Sequence, residues 1–198
     1  MHQLENLFQS TDSIALVSGK VAMATEQQLL YGGDISIMAK MLQGFAHFLQ
    51  QDLNQMPLQE DKEVLVTEVM QNILKMASNL LSDLQKLALD DLVASKQAVV
   101  ETSIIMGIEN VLLLAETINK EKNLIEVTNN LLSAMCLMRS CDVMDQLFPG
   151  LIHKTEEAEV VVPAQGLIEN SVNSTVRLVF FLFLTRPGLS TARWSVPW

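Results

Sequence analysis

Residues Lys96–Ile118, KQAVVETSIIMGIENVLLLAETI, decide how this chain folds. Ala98, Ile105, Ile108, Leu112 and Ala115 fall on one helical face, and Val100, Ile104, Val111, Leu114 and Ile118 on another. Steps of three, four and seven residues bring side chains back to the same side of a 3.6-residue turn. A helix apolar nearly all round belongs among other helices, so this segment is expected at the centre of a bundle. Ser95 just before it is the expected N-cap.

Working back toward the N-terminus, the same period recurs. Ile14, Val17, Val21 and Ala24 share a face, and Tyr31-Gly32-Gly33 is read as the turn that ends this first helix. Asp34 is expected to cap a second helix that presents Ile35, Met38, Leu42, Phe45 and Leu49. Its other side carries Lys40, Gln43, Gln50 and Gln51, which should meet water. Pro57 marks a loop. Glu60–Asp83 is read as a third helix with Val66, Val69, Ile73, Ala77 and Leu80 inward, and Leu84–Ala94 as a short connection.

Beyond Lys122 the periodicity changes. Leu124–Val127 and Leu131–Met138 are short apolar blocks, Val160–Val162 is β-branched and stops at Pro163, and Val176–Leu184 is rich in Val, Leu and Phe. These read as strands. The fold class expected is therefore α+β: an N-terminal helical bundle followed by an incomplete antiparallel β-sandwich. The domain boundaries expected are 1–120 for the helical unit, 121–184 for a partial β unit and 185–198 for a divergent tail. That tail, with its two Trp, two Pro and two Arg, reads as a splice or frame product. With so few strands, the Val176–Leu184 strand is expected to leave an unpaired edge.

Composition bounds the function. Hydrophobic residues make up 49% of the 198 and charged residues 18%, enough apolar material for a core. A net charge of −10 disfavours nucleic-acid binding and a polybasic membrane patch, since anionic phosphates would be repelled. No basic n-region and apolar h-region opens the chain, so no signal peptide is expected. The run Leu178–Leu184 stops at Arg186-Pro187, short of the about 20 apolar residues of a membrane span. No membrane span is therefore expected in this chain.

The order of these segments resembles the GAIN domain of adhesion G-protein-coupled receptors, the latrophilin and brain-angiogenesis-inhibitor branches above all. YGGDISIMAKMLQGF (Tyr31–Phe45), VMQNILKMASNLLSDLQKL (Val69–Leu87) and ETSIIMGIENVLLLAETI (Glu101–Ile118) are similar to its bundle helices. KNLIEV (Lys122–Val127), DQLFPG (Asp145–Gly150), AEVVVPAQGL (Ala158–Leu167) and TVRLVFFLF (Thr175–Phe183) resemble pieces of its β subdomain. The resemblance implies helical subdomain A over 1–120 and part of subdomain B over 121–184. It also implies a place between adhesion modules and a seven-helix domain, hence a plasma-membrane, extracellular-side location with protein partners. The family cuts itself at His-Leu-Ser or His-Leu-Thr. That triplet does not occur in this sequence, and His153-Lys154-Thr155 lacks the Leu. The chain is thus expected to be truncated before the cleavage site and the seven-helix region, and unable to self-cleave or signal.

No catalytic, cofactor or metal constellation emerges. His2, His47 and His153 are not at ligand spacing, and there is no Gly-x-Ser-x-Gly, phosphate loop or dinucleotide fingerprint. Glu156, Glu157 and Glu159 read as a solvated loop, and the methionines of the first half as core. Cys136 and Cys141 are an odd number of residues apart, which on a regular strand sends them to opposite faces. Free thiols are expected, with pairing inside a turn left open. Asn173-Ser174-Thr175 is the one N-glycosylation sequon and Asn173 the expected glycan site. Two functions are carried forward: a non-catalytic extracellular fragment of an adhesion receptor, and a soluble helical interaction scaffold, for which the acidic charge and scarce cysteines allow an intracellular location. An occupied glycan on Asn173 separates the first from the second.

Overall fold

The structure is a computed structural model describing residues 13–27, 29–118, 124–127, 131–139, 146–148, 160–162, 175–183 and 191–195. Its helices are α1 (Ile14–Gln27), α2 (Gly32–Gln55), α3 (Gln59–Leu80), α4 (Lys86–Asp90) and α5 (Ala94–Ile118). A single 3₁₀ turn, Asp83–Gln85, precedes α4.

Helix α2 starts earlier than its glycines suggest. Tyr31 is extended (φ −87°, ψ 158°) and Gly32 is already helical. The Asp34 carboxylate reaches back to accept the Tyr31 N–H at 3.2 Å, so it braces the first turn from inside instead of capping it from outside. Gly32 is needed for room: a Cβ there would sit 2.7 Å from Leu92 Cδ2 and 3.2 Å from the Ala88 carbonyl. Glu60 and Asp61 in the first turn of α3 complement its dipole. Helix α5 starts at Ala94, with the Lys96 and Gln97 N–H groups donating to the Val93 carbonyl. The expected Ser95 cap is corrected accordingly: Ser95 lies within the first turn.

The four long helices run up, down, up, down, and they pack with like directions side by side. Asn72 of α3 bonds Ser18 of α1, and Asn79 bonds Thr25, so α1 and α3 are parallel. Gly107 of α5 abuts Leu42 of α2; Gly33, Ser36 and Lys40 lie across from Lys96, Val100 and Ser103, and Gln43, His47 and Gln50 across from Asn110, Leu113 and Thr117, so α2 and α5 are parallel as well. The Gln59 amide at the start of α3 donates to the Ile118 carbonyl at the end of α5 at 2.8 Å, tying an antiparallel pair. Phe45, Ile35, Leu42, Leu49, Ile73 and Leu74 are fully buried between them. Each such side chain contributes about 1.5–3 kcal/mol on leaving water.

Two helical faces differ from expectation. On α1, Ala24 is exposed and Thr25 is buried (1%), because Ser18 and Thr25 turn inward to meet α3. On α5, Ala98, Val99, Met106 and Leu113 are exposed, so the helix is covered on two sides by α2 and α3 and open on the third. By length and composition alone the stretch Ala94–Ala115 is long and apolar enough to cross a membrane, where no span was expected. In this fold its apolar stripe lies against α2 and α3.

The expected α+β class with an incomplete β-sandwich is corrected. Over 13–118 all regular structure is helical. Further along, β1 (Leu124–Val127), β2 (Leu131–Arg139), β5 (Thr175–Phe183) and β6 (Thr191–Ser195) form one antiparallel sheet in the order β1-β2-β5-β6. β3 (Gln146–Phe148) and β4 (Val160–Val162) form a separate two-stranded ladder. A sandwich needs a second sheet that covers the first. Strands of three residues span about 10 Å and cannot cover strands of nine residues spanning about 30 Å. The expected bare edge on β5 is corrected too. That strand pairs with β2 on one side and β6 on the other, Phe181 opposite both Ser133 and Thr191. β2 lies next to α3 and α5.

Candidate functional site

A polar ladder joins α1 to α3. Ser18 Oγ donates to the Ala15 carbonyl at 2.9 Å and lies 3.0 Å from Asn72 Nδ2, which donates to it. Seven residues on, Thr25 Oγ1 donates to the Ala22 carbonyl at 2.7 Å and accepts from Asn79 Nδ2 at 3.1 Å. Each hydroxyl is therefore used twice, as donor and as acceptor, which makes its burial tolerable. Lys75 and Glu26 close the ladder at 2.8 Å on the surface. At the top of the bundle the buried Gln85 accepts the Leu30 N–H through Oε1 at 3.0 Å. It satisfies a backbone donor that no helix can use.

Two clefts flank the α2–α5 seam. One, of about 440 Å³, is lined by Gln43, His47 and Gln50 of α2 and by Asn110, Leu113 and Thr117 of α5. His47 is exposed there, its Nε2 3.1 Å from the Gln51 amide and its ring edge-on to Phe48 at 5.7 Å. The other, of about 480 Å³, opens where α2 and α5 begin. Gly33, Ser36 and Lys40 form one wall, and Lys96, Val100 and Ser103 the other. Exposed apolar side chains gather on the elements at this same end: Leu29, Tyr31, Leu84, Leu87, Val93 and Val99.

The sequence-derived candidates are not brought together. Cys136 is in β2, opposite Leu178 of β5, while Cys141 and Asn173 lie outside the described residues. So do His2, His153 and the Glu156, Glu157 and Glu159 cluster. Among the described residues, no three His, Cys, Asp or Glu side chains converge closely enough to hold a metal ion. Of the methionines read as core, Met41, Met70 and Met76 are buried and Met38 and Met56 half-buried, but Met23 is exposed. The lysine-bearing cleft was missed, although its signal is present: Gly33, Ser36, Lys40 and Lys96, Val100, Ser103 are both spaced to share one helix face.

The described residues thus form a helical bundle with a sheet beside it. Residues 1–115 match the family model described as AGRL2-4 GAIN subdomain A. This chain belongs to the GAIN domain family of adhesion G-protein-coupled receptors. The chain is also 29% identical over 178 residues to Latrophilin Cirl of Drosophila mojavensis, and equally so to Latrophilin Cirl of Drosophila persimilis. Those matches cover 88% of this chain but only 10% and 11% of the two relatives. The GAIN chain thus spans about a tenth of the length of the curated relatives it matches. The matched GAIN residues contain α1 to α4 and nearly all of α5, the part in which every described element is helical.

Proposed function

We propose that this chain is a non-catalytic piece of an adhesion receptor, the helical GAIN subdomain standing on the extracellular side between adhesion modules and a seven-helix domain. The observation that carries this reading is the coincidence of the family match over 1–115 with a bundle that has its own apolar core. A module that transmits force or conformation between neighbours needs a body that resists deformation, and close packing supplies one. The helical unit runs over 1–120, strand-bearing sequence over 121–184 and a divergent segment over 185–198. The chain neither cuts itself nor signals: a Ser or Thr nucleophile needs a base beside it, and the His-Leu-Ser/Thr triplet that would supply both does not occur. Asn173 carries a glycan, Cys136 and Cys141 stay as free thiols, and the partners are proteins.

Expression behind a secretory leader, followed by intact-mass analysis, tests this. The expected result is one full-length species whose mass falls on glycosidase treatment and no longer does so after Asn173→Gln. A clean internal scission product would contradict the non-catalytic reading. An unglycosylated chain retained in the cytosol with both thiols reduced would favour the scaffold reading instead.

A further inference from the structure

We infer that the end of the bundle formed by Tyr31 and the 83–91 turns docks a basic amphipathic helix of another protein. The inference stands whether or not the chain is a receptor piece. It begins with how this end is built. The Leu30 N–H is held by Gln85, and Gly32 lies against Ala88 and Leu92. The segment entering α2 therefore runs along the row 85, 88, 92 of the neighbouring helical turns. The next row round, Leu84, Leu87 and Asp91, is exposed throughout. Leu30 is buried, while Leu29 and Tyr31 on either side of it are exposed. Leu87 is 77% exposed and Tyr31 81%. Single exposed apolar side chains are ordinary, but four gathered at one end of a bundle mark an interaction surface.

Charge decides what covers it. Asp83, Asp90 and Asp91 are exposed and lie three or four residues from Leu87, which places them around it on its own helical face. Lys86 is the one cation between residues 83 and 91. Carboxylates ringing an apolar knob select Lys or Arg, and the open face of Tyr31 attracts the same cations. The acidic rim repels anionic lipid headgroups, and it repels the same end of a second copy. A partner helix that sets Leu-type side chains on Leu29, Leu84 and Leu87 and carries Lys or Arg along both rims satisfies every part of this surface. The Gln85–Leu30 bond holds the two strips together before any partner arrives, so little ordering is left to binding.

Titrating a dye-labelled amphipathic helical peptide of leucine and lysine with the full chain, read by fluorescence anisotropy, is the test. The expected result is saturable binding, absent with the leucine–glutamate counterpart, and ¹⁵N NMR shifts at Tyr31, Leu84 and Leu87. Asp83→Asn/Asp91→Asn and Leu84→Ser/Leu87→Ser should each lose at least about tenfold in affinity. Glu60→Gln/Asp61→Asn removes the same charge from the first turn of α3, at the other end of the bundle, and should leave affinity unchanged. An equal loss in that variant would mean general attraction to an acidic chain and would overturn the proposal. So would no saturable binding, or unchanged affinity in the Asp83/Asp91 or Leu84/Leu87 variant with native amide dispersion. Adsorption of the chain to phosphatidylcholine–phosphatidylserine vesicles, or a dimer that Leu87→Ser dissolves, would assign the surface to another occupant and overturn it too. The glycan and scission results of the secreted chain are independent of all these outcomes.

Discussion

Asn79 on α3 donates a hydrogen bond from its side-chain amide to the Thr25 hydroxyl on α1 at 3.1 Å, and that hydroxyl in turn donates to the Ala22 carbonyl at 2.7 Å. With Asn72 and Ser18 repeating the arrangement one heptad earlier, the pairing holds α1 parallel to α3 at one register only. A slip of one turn would break both amide–hydroxyl bonds while each hydroxyl kept its own helix carbonyl, at a cost of about 0.5–1.5 kcal/mol for each bond lost.

Asn79→Ala is therefore expected to destabilise the chain by about 1–2 kcal/mol, since it strands the Thr25 oxygen as an acceptor. Thr25→Val should cost a similar amount. The double variant should cost less than the two singles added, with a coupling of about 0.5–1.5 kcal/mol. Urea denaturation of the four proteins reads this directly. Strict additivity would show that the contact does not form.

Gly107 and Gly33 should respond in opposite directions to alanine. A Cβ on Gly107 would lie 2.8 Å from Leu42 Cβ and 2.9 Å from its carbonyl carbon, so Gly107→Ala must push α5 off α2. A loss of about 1–3 kcal/mol is expected. Nothing lies within 4 Å of a Cβ on Gly33, in the first turn of α2. Gly33→Ala should stabilise by about 0.4–1 kcal/mol through the unfolded chain. Thermal melts of both variants give the signs.

Gln85→Leu removes the acceptor of the Leu30 N–H in a fully buried site. The expected cost is about 1–3 kcal/mol despite the gain in apolar character. The Leu30 amide should then exchange with solvent faster than in the parent, as hydrogen-exchange NMR can resolve.

Lys75 and Glu26 sit 2.8 Å apart with 44% of each side chain exposed. Water and salt screen such a pair, so Lys75→Gln should change stability by less than about 1 kcal/mol. A larger loss in the urea midpoint would mean the pair is coupled to the Asn79–Thr25 bond one turn away.

Much of the bundle was legible because its signal is local. Val66, Val69, Ile73, Ala77 and Leu80 are all buried, as their spacing requires. The failures share a physical cause. Thr25 and Ser18 are polar yet buried, and only the partners Asn72 and Asn79, more than fifty residues away, make that burial tolerable. Gly32-Gly33 reads as a turn, but at Gly32 the requirement is room for Leu92, a tertiary demand that single-sequence chemistry does not announce. The sandwich was over-read because short β-branched blocks specify strands without specifying how many sheets they join. The cleft at Lys40, Lys96 and Ser103 required the parallel packing of α2 on α5, which periodicity alone does not supply.

The account rests on a GAIN-type helical body in which α1 lies parallel to α3. Side-chain NOEs on isotope-labelled full-length chain test this most directly. The account predicts cross-peaks between the Thr25 methyl and the Asn79 amide protons, and between Ser18 and Asn72. Cross-peaks joining Thr25 to the start of α3 near Leu65 would mean antiparallel packing and would contradict it.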